Sequence, residues 1–385
     1  MRTVIAISIL IGCWGVAQSP WQLGPLQADD RSPSELTLRQ PVPFQVCQRI
    51  QFDPAHAHAN EPGGPKLGFA DVALRGALAA EITEGELEWR VEPLRGGTGA
   101  ATAWAAARDP SVRDRQFHAI ARIPAGGWYR MQLRWKRKSE IVAEAVLEPL
   151  GVGELFVVAG QSYATNCNDE RLKVQDPGQR IAAYDPATHS WRVAEDPQPA
   201  PDGSDGGSIW PAVGDLLLPS LRVPIGFVNV AWGGTSSRQW LPGEALHRRL
   251  CAVEQNVGRF RAVLWQQGES DVIEKTSSEQ YVENLQRIRG AAEEAWGFAP
   301  PWLLAKSTLH PTVYVDPVGE GRIRTAIDQL ARMPGFRAGP DTDLLDGDNR
   351  GGPGSRRHFS AAGQRRAAEL WFATLVHQLN QSSAE

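Results

Sequence analysis

The sequence predicts an α/β protein: a parallel sheet covered by helices on both faces, preceded by an antiparallel β-sandwich. Three observations predict it. Over residues 36–150 apolar and polar side chains alternate with period two, the mark of half-buried strands with turns between them. After Gly151 short, continuous apolar runs take over, as strands buried on both faces require. Between those runs lie stretches with apolar residues at helical spacing, and strand–helix alternation in that order builds a parallel sheet. The boundaries that follow are a β-sandwich domain at 36–150 and a helix-covered domain at 151–380.

In the first part, Leu87, Trp89 and Val91 alternate with Glu86, Glu88 and Arg90. Phe117, Ala119, Ala121 and Ile123 form a less regular strand. Tyr129, Met131, Leu133 and Trp135 make one face of another, with residues 141–147 as its hairpin partner. The basic cluster Arg134, Lys136, Arg137 and Lys138 reads as the solvated turn between them. Nothing in this part looks catalytic, so it is expected to pack against the second part or to frame a substrate. In that second part, residues 155–159, 225–231, 262–265 and 302–306 are the buried strands. The expected helices are 244–257, 278–296 with Tyr281, Leu285, Ile288 and Ala292 on one stripe, 322–333, and 361–379. Ser360 is placed to N-cap the last.

Composition narrows the function. The 44 acidic and 40 basic side chains leave a formal charge of −4. That argues against a general binder of nucleic acid or anionic membranes, which needs surplus positive charge. The 38 glycines and 28 prolines favour many strand connections. Fourteen tryptophans suit a large core, and indole faces also stack on sugar rings. The N-terminus places one arginine before a short apolar run at 4–11 and then small residues, the layout of an export signal and not of a spanning helix. Two processing sites compete: after Ala17, or before Cys13 in a lipoprotein-type Leu10-Ile11-Gly12-Cys13, which would leave Cys13 as a lipid anchor. The expected product is exported, whether periplasmic, secreted or held at the cell envelope. Cys47, Cys167 and Cys251 are an odd number at wide spacing, neither a disulfide framework nor a zinc pattern. No His-x-x-x-His or Cys-x-x-Cys pair occurs, and no metal or cofactor is expected.

Ser162 follows the apolar run 155–159, which puts a hydroxyl on the first turn after a buried strand, where open α/β sheets bind ligands. Four blocks then come in order: Gly160-Gln161-Ser162, Trp232-Gly233-Gly234-Thr235, Trp265-Gln266-Gln267-Gly268-Glu269-Ser270 and His358-Phe359-Ser360-Ala361-Ala362-Gly363. Together they resemble the ordered blocks of the SGNH hydrolase superfamily, and more narrowly its sialate O-acetylesterase and acetylxylan esterase branch. Gly153-Glu154-Leu155 and Ser208-Ile209-Trp210-Pro211 are similar to that branch as well. The resemblance covers about residues 150–378 and implies a flavodoxin-like three-layer domain. It also implies a carbohydrate O-acetylesterase that acts on acetylated sugars of sialic acid or xylan type. By resemblance Ser162 is the nucleophile and His358 the base. The oxyanion donors are the N–H groups of Ser162 and Gly234 and the side-chain amide of Gln267. A glycine suits that role because the missing Cβ lets its N–H approach a reacting centre. Glu269 and Asp271 read as supports of the Gln267 loop. Trp210 and Trp240 line a sugar site or pack in the core, and His310 borders the cleft or sits satisfied in its loop.

One position departs. The family's acid stands three residues before the histidine, and here that position is Ser355. Such an acid fixes the imidazole and stabilises the imidazolium, and its loss costs about 10⁴ in kcat in serine proteases. Three arrangements are open. Ser355 or a backbone carbonyl orients His358 in a Ser–His dyad. One of Asp341, Asp343, Asp346 and Asp348 reaches in. Or the chain is a catalytically impaired carbohydrate-binding relative. A non-sugar ester is the alternative substrate for the same mechanism.

Overall fold

Residues 150–160 carry a single charged side chain, Glu154, and in the computed structural model they end a 21-residue strand, Glu140–Gly160. The structure describes residues 36–53, 67–79, 82, 84–351 and 356–381. The N-terminal signal with Cys13 lies outside the described residues. So does Ser355.

The first half of the long strand pairs antiparallel with Gly126–Arg137, Met131 opposite Leu147 and Trp135 opposite Ala143, as the alternation predicts. Gly126–Arg137 pairs in turn with Glu86–Thr98. A second, four-stranded sheet holds Leu36–Gln40, Phe69–Leu78, Gln116–Pro124 and Arg108–Arg113. The basic cluster is not all turn. Arg134 and Lys136 lie within the strand, and both pair with Glu88 at 2.5 and 3.2 Å. The chain reverses at Lys138, which has positive φ. Sequence alternation missed this because a polar face of alternating charges reads like a loop.

The second half of the long strand enters a parallel sheet. From edge to edge its members are Ser190–Val193, Ile181–Asp185, Ile225–Asn229, Glu140–Gly160, Ala262–Gln266, Trp302–Lys306 and Phe336–Asp341. All pair parallel except Ser190–Val193, which closes one edge antiparallel. Strand pairing therefore runs through one mixed, 11-stranded sheet. All the described residues fall in one compact unit, and the two parts share a strand and a core. The central strands are buried on both faces, as their apolar runs demand. Phe156, Val158, Phe227 and Leu264 face the helices Trp210–Leu221 and Ala361–Gln381. Val157, Val228, Val263 and Trp265 face Ala245–Cys251, Ser278–Trp296 and Pro317–Leu330.

Departures from the expected elements have local causes. Helix Pro317–Leu330 starts before the apolar stripe because Asp316 caps it, accepting from the Gly319 N–H at 3.0 Å with Pro317 in the first turn. Trp210–Leu221 was hidden by Pro211 and Pro219. Phe336–Asp341 was hidden by Gly339 and Pro340. A Cβ on Gly339 would lie 2.5 Å from the Ala305 nitrogen, so close strand approach dictates that glycine. The stretch 244–257 is two short helices that meet at Ala252.

From the serine strand the chain runs through Ile181–Asp185 and Ser190–Val193 to Ile225–Asn229 on one side, and then crosses to Ala262–Gln266 on the other. This is a topological switch point, and the crevice at the carboxyl ends of those strands is where such sheets bind ligands.

Candidate active site

Ser162 stands at that crevice. The chain leaves the sheet at Gly160 with φ +128°, where a Cβ would lie 2.1 Å from the Gln266 carbonyl oxygen, so only glycine fits. The Gln161 N–H donates to that same carbonyl at 2.9 Å. Ser162–Ala164 then form one 3-10 turn, closed by the Thr165 hydroxyl donating to the Ser162 carbonyl at 3.0 Å. Ser162 itself is 8% exposed.

The Trp232–Thr235 loop lies beside it. A Cβ built on Gly233 would be 3.7 Å from the Ser162 Cβ and 3.3 Å from an Asp202 carboxylate oxygen, which accepts the Gly233 N–H at 3.0 Å. Asp202 also accepts from the Ser204 N–H and hydroxyl. The next residue, Gly234, turns left-handed at φ +71° with open space around it. Among the described residues the N–H groups of Ser162 and Gly234 donate to nothing. Two backbone donors, one in the serine turn and one in the neighbouring glycine loop, thus stand unengaged among the described residues.

Gln267 is nearby but occupied. Its Nε2 donates to Asp271 Oδ2 at 2.5 Å and Thr235 O at 3.1 Å, with Gln161 Oε1 at 3.3 Å. Its Oε1 accepts from the Tyr281 hydroxyl at 3.0 Å. Fully buried, the side chain ties the Ser162 loop to the Gly234 loop in this arrangement and aims no free N–H at the crevice. Asp271 accepts from the Ser237 N–H and hydroxyl, both at 2.7 Å. Glu269 accepts from Ser307 Oγ at 2.7 Å, and burial pushes its carboxyl up to about 8.

His358 reaches the crevice from the loop before the last helix. That loop is pinned to the segment after Ser162. The Phe359 N–H donates to Asn168 Oδ1 at 3.1 Å, and the Asp169 N–H donates to the Phe359 carbonyl at 3.1 Å. Ser360 caps the helix, its hydroxyl accepting from the Gly363 N–H at 3.2 Å. The His358 ring packs edge-on against Tyr163, centroids 5.3 Å apart. Its Nε2 is buried without a hydrogen-bond partner. Burial, then Arg357, His310 and Arg350, push its pKa down to about 3. Among the described residues every charged neighbour acting on it is a cation or a second imidazole.

The acidic cluster is engaged elsewhere. Asp343 accepts from the Thr308 N–H and hydroxyl at 2.7 Å each, from the Leu309 N–H at 2.9 Å, and from Arg324 at 2.7 Å. Asp341 takes the other face of the Arg324 fork. Asp346 and Asp348 are exposed. Trp210 and Trp240 are fully buried core residues. Of the described tryptophans only Trp104 and Trp232 are less than buried, and Trp232 sits in the Gly233–Gly234 loop. His310 is no satisfied loop residue: its Nδ1 is buried without a partner, and burial with Arg357 and Arg350 pushes it down to about 4. Sequence reading missed Asp202, Tyr163, Arg350 and Arg357. None belongs to a motif, and only Tyr163 and Arg357, adjacent to Ser162 and His358, carried a positional signal.

The sheet order and the loops that meet at its carboxyl edge define an open α/β fold with the candidate site at its topological switch point. A carbohydrate acetylesterase of Xanthomonas citri shares this fold at a TM-score of 0.51 and 15% identity, over 87% of this chain and 73% of that one. A crystal structure of an Arabidopsis thaliana protein aligns over 58% of this chain and 98% of its own, at 19% identity and a TM-score of 0.48. By sequence, residues 152–298 match the family described as carbohydrate esterase, sialic acid-specific acetylesterase, and the resemblance read from the motifs stands on that match. A probable carbohydrate esterase of Arabidopsis thaliana is 38% identical over 68 residues, 17% of this chain. The matched stretch spans 26% of that relative's length.

Proposed function

We propose that this chain is an exported carbohydrate O-acetylesterase, a serine carboxylic-ester hydrolase acting on acetylated sugars of sialic acid or xylan type. Ser162 Oγ attacks the acetyl carbonyl, and the developing oxyanion accepts from the N–H groups of Ser162 and Gly234. His358 takes the serine proton and returns it to the leaving sugar hydroxyl. Water then attacks the acetyl-enzyme, again through His358, and releases acetate. Gln267 acts as a third donor only if its Nε2 leaves Thr235 or Asp271 when substrate binds. The observation that carries the reading is the placement of Ser162 against Gly233 with two unengaged backbone donors beside it. Export through the N-terminal segment, with or without an anchor at Cys13, belongs to the same proposal.

A second reading, a catalytically impaired sugar-binding relative, is favoured by one observation: no carboxylate acts on His358 among the described residues. Hydrolysis of 4-nitrophenyl acetate, acetylated xylan and O-acetylated sialic acid, beside Ser162→Ala, separates the two. The esterase releases acetate in a Ser162-dependent way; equal rates in both proteins sink the proposal. Preference for octanoyl over acetyl esters in a chain-length series would reject the sugar-acetate substrate and leave the mechanism.

A further inference from the structure

Tyr163 follows the nucleophile in the same 3-10 turn and is buried. Its hydroxyl donates to one of two carbonyls and lies within hydrogen-bond distance of both: Leu309 O at 3.2 Å and Arg357 O. Those carbonyls belong to the residues immediately before His310 and His358. One phenol therefore links the turn of the nucleophile to the two loops that carry the histidines. Its ring also meets the His358 imidazole edge-on at 5.3 Å and Phe359 at 4.8 Å. Behind the ring the Arg350 guanidinium lies 4.7 Å from its centroid. The same guanidinium donates to the Leu345, Thr342 and Arg357 carbonyls, closing the far side.

We propose that Tyr163 is the positioning residue for His358, setting the imidazole against Ser162 by ring contact and by the tether through Arg357 O, in the role the family pattern gives to a carboxylate. A carboxylate would orient the ring and also stabilise its protonated form. A phenol ring and a neutral tether supply the first function and not the second. This fits a histidine surrounded by Arg357, Arg350 and His310, whose imidazolium is disfavoured. The catalytic consequence rests on the esterase reading above; the geometric claim does not.

The test compares wild type, Tyr163→Phe and Tyr163→Leu in two measurements. One is the NMR titration of the His358 imidazole in the full chain. The other is kcat and KM on 4-nitrophenyl acetate. Tyr163→Phe keeps the ring and loses the tether, so kcat falls about tenfold with KM within about twofold. Tyr163→Leu loses both, and misplacing a catalytic group by about 1 Å costs about 10²-fold. In the leucine variant water reaches the imidazole, so its titration and the acid limb of kcat/KM both move up toward the ordinary histidine range of about 6.5. A phenylalanine variant intermediate between wild type and leucine supports the proposal. Variants that melt earlier but keep wild-type kcat and His358 titration overturn it, because that is the signature of plain packing. If wild type shows no Ser162-dependent turnover, the esterase reading has failed on its own. The titration still decides the positioning claim. Should the leucine variant not fold, the phenylalanine variant, one oxygen smaller, decides alone.

Discussion

The two ends of the serine strand's parallel stretch, from Glu154 to Gly160, treat charge in opposite ways. At its entry the Glu154 carboxylate is fully buried and paired on both oxygens, although Arg49 Nη2 beside it is buried without a partner among the described residues. It accepts from Arg49 Nε and Arg261 Nε at 2.7 Å each, from a second Arg261 nitrogen at 3.0 Å and from Gln48 Nε2 at 2.9 Å. The two arginines overcome the burial penalty and hold its carboxyl down at about 2. At the exit Arg357, Arg350 and His310 act on His358, and among the described residues no carboxylate offsets them at that imidazole. Among the described residues His358 Nε2, His310 Nδ1 and Arg357 Nε are buried without partners. Satisfied polar groups specify structure, whereas unsatisfied ones cost stability and persist where chemistry uses them. The entry is built to hold the strand. Under the proposed esterase reading, the exit is where a substrate enters.

The strongest way to break that contrast is to unpair the entry. Glu154→Ala leaves Arg49 and part of Arg261 buried without their acceptor, and breaking a buried ion pair costs about 3–5 kcal/mol. Urea unfolding should show that loss, with kcat per folded molecule changed less than about twofold. The pH dependence has a defined sign. A carboxyl held below its ordinary range in the folded state contributes stability in full above about pH 5, lost as pH falls toward its folded value near 2. Glu154→Gln should flatten that acid-side loss. An unchanged acid profile would mean the pair is not what holds this end together.

At the exit the matching test removes a cation. Arg357 is the largest charge effect on His358 after burial, and it pushes the imidazole down. A general base works when deprotonated, so activity is present above its pKa and lost below it. Wild-type kcat/KM should therefore keep its plateau well below pH 6. Arg357→Gln should move the acid limb upward by about one unit, equivalent to about 1.4 kcal/mol. A limb that stays in place would show that burial alone sets the base.

How much of this was legible differs between the two ends. The buried strands, the serine turn and the order of the motif blocks were readable because each is a local pattern: an apolar run, a glycine at a forced φ, a capped helix. Gly160 and Ser360 needed only their neighbours to be understood. The partners of His358 were not readable. Tyr163 touches the Arg357 carbonyl from 194 positions away in sequence, and Arg350 stacks on it from the far side. The sequence reading could mark position 355 as lacking its acid, but what faces the imidazole depends on how three distant loops close. The same limit hid the occupancy of Gln267. A motif identifies the residue, and only packing reveals that its amide already serves Asp271 and Thr235. The long strand Glu140–Gly160 was split at 150 because its pattern changes from half-buried to fully buried there, although its backbone does not.

The smallest expected effect concerns what enters at the exit. Trp232 is half-buried in the loop that carries Gly233 and Gly234, with the Arg249 guanidinium 4.6 Å from its ring centroid. Trp210 and Trp240 are committed to packing, whereas Trp232 packs on the core only in part, and under the proposed esterase reading its free surface is available to a sugar face. If sugar stacking matches the about 0.5–1.5 kcal/mol of an aromatic pair, Trp232→Ala should raise KM by about two- to tenfold. Because the contact lies on the sugar and not on the acetyl group, kcat should stay within about twofold. The comparison of substrates sharpens the point. KM for an acetylated sugar should rise, while KM for 4-nitrophenyl acetate, which lacks a pyranose face, should move much less. Equal increases for both would mean that Trp232 shapes the Gly233–Gly234 loop instead of the substrate, and that sugar recognition lies elsewhere on the rim.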